Sequence, residues 1–250
     1  QAGGAVSLPA ARQWGVLTRR YLSCTLGDPL TVVVLVAQAP FIGWLCTLVW
    51  GGADKETSSL YFVLALSSVW FGCINACREV VKERAVLERE RFFGLSLPAY
   101  IGSKLVVLSG LALVQVLLLQ LAVEWQMALK GAYLVQTLAM WGSAICGTAL
   151  GLVISAVART QERAVGVIPL LILPQLLFSE MAVPEAWFTD LVSVVEKLMP
   201  VHWGFEVFQQ LADPEPEWGV VLASLLALLA YAALLSVLAA VALIPRRELA

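Results

Sequence analysis

The sequence predicts an all-α membrane protein. Six transmembrane helices follow an N-terminal interfacial helix, with one charged helix outside the bilayer and one external re-entrant helical segment before the last span. Three observations predict it. Of the 250 residues, 60% are hydrophobic and only 14% charged, where a soluble domain carries about a quarter. Six runs hold no charged residue at all: 29–53, 57–77, 105–123, 131–158, 164–179 and 218–245. Finally, the 16 Lys and Arg divide unevenly once the runs are threaded back and forth. Arg12, Arg19, Arg20, Arg78, Lys82, Arg84, Arg89, Arg91, Lys104, Arg159, Arg163, Arg246 and Arg247 fall on one side, and Lys55, Lys130 and Lys197 on the other. By the positive-inside rule the side with thirteen is cytoplasmic, so both termini are too. The length suits a single membrane domain over residues 1–250, of which 1–28 are linker and connecting helix and 29–245 the six-helix bundle.

The opening Gln1-Ala2-Gly3-Gly4 reads as the end of a linker. In residues 8–26, Trp14, Leu17, Tyr21 and Thr25 recur at helical spacing, with Arg12, Arg19 and Arg20 among them. This fits an amphipathic helix in the membrane interface; the alternative is an ordinary helix packed on a neighbour. Five of the six runs reach, or nearly reach, the ~20 residues that cross about 30 Å of hydrocarbon. The run 164–179 is short, about 24 Å at ~1.5 Å per residue, and contains Pro169 and Pro174. It must kink, thin the bilayer or continue into the next segment.

That next segment, residues 180–217, is external and acidic: Glu180, Glu185, Asp190, Glu196, Glu206, Asp213, Glu215 and Glu217 against Lys197. Pro184 suits a first helical position with Glu185 in the first turn. Trp187, Leu191, Val194 and Leu198 form an apolar stripe, and residues 201–211 read as a second short helix. Apolar helices after a short span suggest a re-entrant or interfacial lid. The five cysteines (Cys24, Cys46, Cys73, Cys77 and Cys146) sit in or beside apolar runs and indicate no disulfide framework.

Between the second and third runs lie Arg78, Glu79, Lys82, Glu83, Arg84, Glu88, Arg89, Glu90 and Arg91. Unpaired charges cost several kcal/mol in lipid, so this helix lies outside it. Five cations against four anions give +1. A lipid-binding patch is nearly all basic; mixed signs suit docking on a protein surface. The alternative is a solvated loop without a partner. Arg84 and Glu88 form an i,i+4 pair, Phe92 and Phe93 anchor the end at the membrane, Gly94 stops the helix and Pro98 starts the next.

Nothing in the chain carries catalysis. Its one histidine, His202, sits beside Trp203 in the external segment and reads as a packing residue, and the sequence has no P-loop, H-E-x-x-H, C-x-x-C or G-x-S-x-G. No acid or base interrupts the apolar runs, so a proton relay is not indicated. Energy must come from elsewhere, most simply from a cytoplasmic motor.

The stretch from Asn75 to Lys104 resembles the coupling segment of type 2 ABC exporter permeases, G-subfamily (white/pleiotropic drug resistance) type. The residues that carry the likeness are Glu83-Arg84, Arg89-Glu90, Gly94-Leu95, Tyr100 and Lys104. Asn75, Arg78, Glu79 and Lys82 look most like a bacterial branch in which a forkhead-associated domain, an ATPase domain and the permease are fused. Gln13, Leu17, Arg20 and Asp28-Pro29 look like the family's connecting helix; Pro184, Trp187, Pro200, Trp203 and Glu206 look like its external helices. The external segment lacks the cysteines of animal members, so no disulfide is implied.

The resemblance implies the membrane half of an ATP-driven exporter in a bacterial inner membrane. Its partners would be a nucleotide-binding domain that binds ATP and Mg, fused upstream or separate, a second copy of the membrane domain and the surrounding lipid, with no nucleic acid. The helix at 78–93 would couple ATP hydrolysis to the spans. By the same analogy the second and fifth spans line the pathway, through Phe62, Trp70, Asn75, Pro169, Gln175 and Phe178. Two other readings stand beside it: a glycan-exporting type 2 permease with a separate ATPase, and a membrane scaffold without transport.

Overall fold

The computed structural model describes residues 9–52, 58–179 and 190–244. The expectations placed on Lys55, Glu180, Pro184, Glu185, Trp187, Arg246 and Arg247 lie outside them. Among the described residues the chain is helical throughout, without a strand: α1 (Ala10–Leu26), α2 (Pro29–Trp50), α3 (Ser58–Ala76), a 3-10 turn (Val81–Glu83), α4 (Arg84–Phe92), α5 (Leu97–Glu124), α6 (Tyr133–Val157), α7 (Gln161–Leu177), α8 (Asp190–Lys197), α9 (Pro200–Ala212) and α10 (Trp218–Ala242).

Local chemistry sets several boundaries. Asp28 caps α2: its carboxylate accepts from the Thr31 amide at 3.2 Å and the Thr31 hydroxyl at 2.7 Å. Those two bonds hold the exposed carboxyl below its ordinary pKa. Pro29 follows at the first helical position, where its missing N–H is no loss. Thr160 caps α7 by accepting from the Arg163 amide at 3.3 Å. Pro98 falls in the first turn of α5 as expected.

Five helical stretches are long and apolar enough to cross a membrane: α2, the stretch Ser58–Phe92 that α3 opens, α5, α6 and α10. The chain is therefore a multi-pass integral membrane protein. α7 remains short at 17 residues and runs through both prolines.

The core is the seam between α3 and α6. A methyl group on Gly72 would lie 2.0 Å from Ala144 O, and one on Gly147 would lie 2.1 Å from Val69 O. Only glycine permits backbones this close, which is how helices in lipid gain contact without a hydrophobic driving force. Buried amides tie other helices to the seam: Asn75 Nδ2 donates to Gln115 Oε1 at 2.6 Å, and Gln115 Nε2 to Leu35 O at 2.7 Å, linking α3, α5 and α2. α2 and α10 lie outermost and leave most of their apolar surface exposed.

α9 is no loose lid. Val201, Phe205, Val207 and Phe208 are buried among α3, α6 and α10. Phe208 stacks on Tyr61 with ring centres 5.3 Å apart, and Phe205 meets Phe62 edge-on at 5.6 Å.

Candidate functional site

The charged run is not the single helix its composition predicts. α3 ends at Ala76, a turn carries the chain to Val80, the 3-10 turn comes next and only then does α4 begin. The cause is a residue 75 positions away. Ser155 Oγ, near the end of α6, accepts the amides of Val80 at 2.9 Å and Val81 at 3.0 Å. Those contacts pin the chain under α6 and bury Val80. Gly94 ends the segment as expected, with φ at +84°, a conformation that suits glycine.

The nine charged residues then divide into two sets. Five turn inward or grip helix ends. Glu79 accepts from the Tyr21 hydroxyl and pairs with Lys82 at 2.6 Å. Glu83 pairs with Lys104 at 2.8 Å and accepts from the Tyr100 hydroxyl at 3.1 Å. Glu90 takes Arg20 in a two-pronged contact at 2.5 and 3.3 Å. Arg84 donates to Ala156 O at 2.5 Å, and Arg91 to Leu243 O at 2.7 Å. The expected Arg84–Glu88 pair does not form, because Arg84 reaches the end of α6 instead. Arg78, Lys82, Glu88 and Arg89 face outward. That exposed set sums to 3 − 1 = +2, more basic than the run as a whole.

Lys104 is the centre of the inward set. It is 1% exposed, although it sits about two turns into an apolar helix. Its ammonium lies 4.0 Å above the Tyr21 ring and 5.1 Å from that of Tyr100. Its approach to Glu83 is an ion pair rather than a well-aligned hydrogen bond. Around it α1 docks on α5: Leu17 and Tyr21 are buried with Leu87, Tyr100 and Ile101. Gln13 closes the clasp, donating to Gly94 O at 3.3 Å and accepting from the Ser96 amide at 2.9 Å. Burial, reinforced by Glu79, raises the pKa of the Tyr21 phenol far above its ordinary value, and the hydrogen bond donated to Glu90 raises that of Arg20. Both groups keep their protons at any physiological pH. The clasp thus mechanically joins α1, α4, α5, α6 and α10.

Residues 12–212 match the ABC-2 type transporter family. The chain belongs to that family. Its membrane domain is also similar to the ABC transporter ATP-binding/permease protein of Mycobacterium tuberculosis, 27% identical over 214 residues, which is 78% of this chain and 24% of that relative. The chain thus spans about a quarter of the relative's length.

In this ABC-2 permease domain the six pathway candidates do not form one site. Phe62 and Asn75 are separated by 13 residues of α3, about 20 Å along its axis. Phe62 is packed against Phe205 of α9, and Asn75 bonds Gln115 while its Oδ1 lacks a partner. Trp70 is half-buried between them. Pro169 is exposed on α7, Gln175 is buried with its Oε1 unpartnered, and Phe178 is 37% exposed. They mark α3 and α7 along their length. His202 packs edge-on to Trp203 at 5.1 Å and lies 3.6 Å from Glu196.

Sequence reasoning missed Ser155, and it did not pair Lys104 or Tyr21 with the charged run. Lys104 did carry a signal, a lone cation four residues after Tyr100 at the start of an apolar helix. Ser155 carried none.

Proposed function

We propose that this permease domain is the membrane half of an ATP-driven exporter of the G-subfamily type, working as a dimer. Residues 78–93 receive the stroke of a nucleotide-binding domain that binds ATP and Mg and is fused upstream, beside a forkhead-associated domain, as the resemblance implies. The chain would sit in a bacterial inner membrane with both termini in the cytoplasm. The observation that carries this reading is the division of charge. Five charged side chains clamp the segment to α1, α5, α6 and α10, so a push on it is a push on the bundle. Arg78, Lys82, Glu88 and Arg89 remain outward for complementary docking.

The proposed second copy would lie against α7. α7 leaves Val165, Val167, Leu170, Leu173 and Leu177 exposed. A partner against that face would bury it and bring Pro169 and Phe178 toward the dimer axis, with α3 behind them. A six-span bundle, counting α7 with the segment after it, fits this arrangement.

The test is reconstitution of the full-length transporter in proteoliposomes. Reversing the two outward arginines (Arg78→Glu with Arg89→Glu) should leave insertion and basal ATP hydrolysis intact while abolishing hydrolysis-driven uptake into inside-out vesicles. Transport at the wild-type rate in that variant would sink the docking role.

A further inference from the structure

Nothing within residues 73–93 themselves calls for the break between α3 and α4. The stretch contains no glycine and no proline, the residues that most often kink a helix from within. Its helical pattern also runs through the break without a slip. Cys73, Ala76, Val80 and Leu87 are buried, while Arg78, Lys82, Ala85 and Arg89 are exposed. At about 100° per residue, each set of four would fall within an arc of roughly 60° on an unbroken helix, and the two arcs would lie on opposite sides. Glu79, Glu83 and Glu90, which grip Tyr21, Lys104 and Arg20, would share an arc of roughly 40° beside the buried stripe. The local pattern asks for one helix, and the fold interrupts it.

One oxygen makes the interruption. Ser155 Oγ accepts the amides of Val80 at 2.9 Å and Val81 at 3.0 Å. In an unbroken helix those amides would bond Ala76 O and Cys77 O, four residues back. Ala76 O instead takes the Glu79 amide at 3.1 Å. A hydroxyl has two acceptor lone pairs, so Ser155 can serve both amides at once. It has no exposed surface, so water does not compete for it. A side chain inserted into the backbone ladder kinks a helix, and a short 3-10 stretch inside one often marks a hinge. The kinked and the straight forms satisfy the same two amides. Two arrangements of one segment with equal hydrogen bonding are the elements of a switch.

We propose that Ser155 is a latch that positions the charged run. Engaged, its hydroxyl holds the run kinked beneath α6. Released, the ladder closes through residues 77–83, and α3 and α4 become one helix over 58–92. This straightening is the movement that a nucleotide-binding domain drives, a clause that rests on the function proposed above. The straight form draws Arg78, Lys82, Ala85 and Arg89 into one outward stripe. It leaves Val80 and Leu87 on the inward face and the three glutamates together on one side. The clasp around Lys104 therefore need not open when the latch does. Ser155 acts only through the backbone of Val80 and Val81, so it is a positioning residue.

Cryo-EM of the full-length transporter in lipid nanodiscs reads the backbone of residues 77–83 directly, without reading transport. The nucleotide-free wild type should be kinked. Ser155→Ala should show one helix over 58–92, with the Val80 and Val81 amides moved onto Ala76 O and Cys77 O at about 3 Å. Ser155→Thr, which keeps the oxygen, should restore the kink. Wild type held with Mg and a non-hydrolysable ATP analogue should be straight. Hydrogen exchange over the same residues gives a second readout. It should be no faster in Ser155→Ala than in wild type, because both amides find new acceptors. The proposal falls if Ser155→Ala stays kinked or exchanges faster, if Ser155→Thr is straight, or if the wild type has the same shape in both nucleotide conditions. The same maps judge the proposed function separately. An ATPase domain seated away from residues 78–93 would sink the coupling reading, while the shape of 77–83 in Ser155→Ala still decides the latch.

Discussion

The two ends of this bundle are held together by opposite means. At the end with the charged run, the contacts are directional: Glu83 to Lys104, Glu79 to Tyr21, Glu90 to Arg20, and arginines on the carbonyls that end α6 and α10. At the other end α9 is fixed by ring contacts, Phe208 on Tyr61 and Phe205 on Phe62. A charge-assisted bond has a narrow range of good geometries. Ring faces have several of similar energy. The first end is therefore held to one geometry, while the second can repack among several.

The contrast can be broken most sharply at Glu83. Glu83→Ala leaves the Lys104 ammonium buried without its carboxylate, which costs about 3–5 kcal/mol for a buried pair cut on one side. Thermal unfolding in detergent should show it as a large drop. Adding Lys104→Met should recover most of the loss, because the stranded charge is then gone. A double variant no more stable than Glu83→Ala would mean that the charge is not what matters. At the other end Phe205→Ala should cost about 3 kcal/mol through the cavity it leaves. Phe205→Leu should restore much of that by volume alone, with no dependence on salt.

Smaller effects sharpen the picture. The Tyr21 phenol has a folded pKa raised above its ordinary value of about 10. Its contribution is complete below pH 10 and declines as pH rises beyond it, because the unfolded chain loses that proton first. Tyr21→Phe should flatten the alkaline limb of a stability profile and cost about 1.5 kcal/mol at neutral pH, the value of a hydrogen bond to a charged group. The smallest change belongs to Arg20→Ala. Its side chain is 45% exposed, so the pair with Glu90 contributes under about 1 kcal/mol and fades with added salt. A loss as large as that of Glu83→Ala would place Arg20 in the buried cage rather than at its rim.

Much of the frame was legible in the chain. The uncharged runs became α2, α3, α5, α6, α7 and α10; Asp28-Pro29 opened α2; Gly94 and Pro98 bounded the gap after α4; and the short helix expected over 201–211 became α9. The charged run stood out as a set, but the partner of each residue did not. Nothing local says that Glu79, Glu83 and Glu90 face inward while Glu88 faces out. Their partners Tyr21, Lys104 and Arg20 lie 58, 21 and 70 positions away.

The sequence by itself determined what must lie in lipid and what must not, because transfer free energy is a sum over neighbouring residues. It also determined where helices start and stop, since caps and prolines act within one turn. Only the tertiary structure decided that Ser155 breaks the charged run, that Lys104 is buried, and that Gly72 and Gly147 let two backbones touch. Each of those depends on a group far along the chain arriving within a few ångströms. Distances of that kind are set by packing, which no window along the sequence contains.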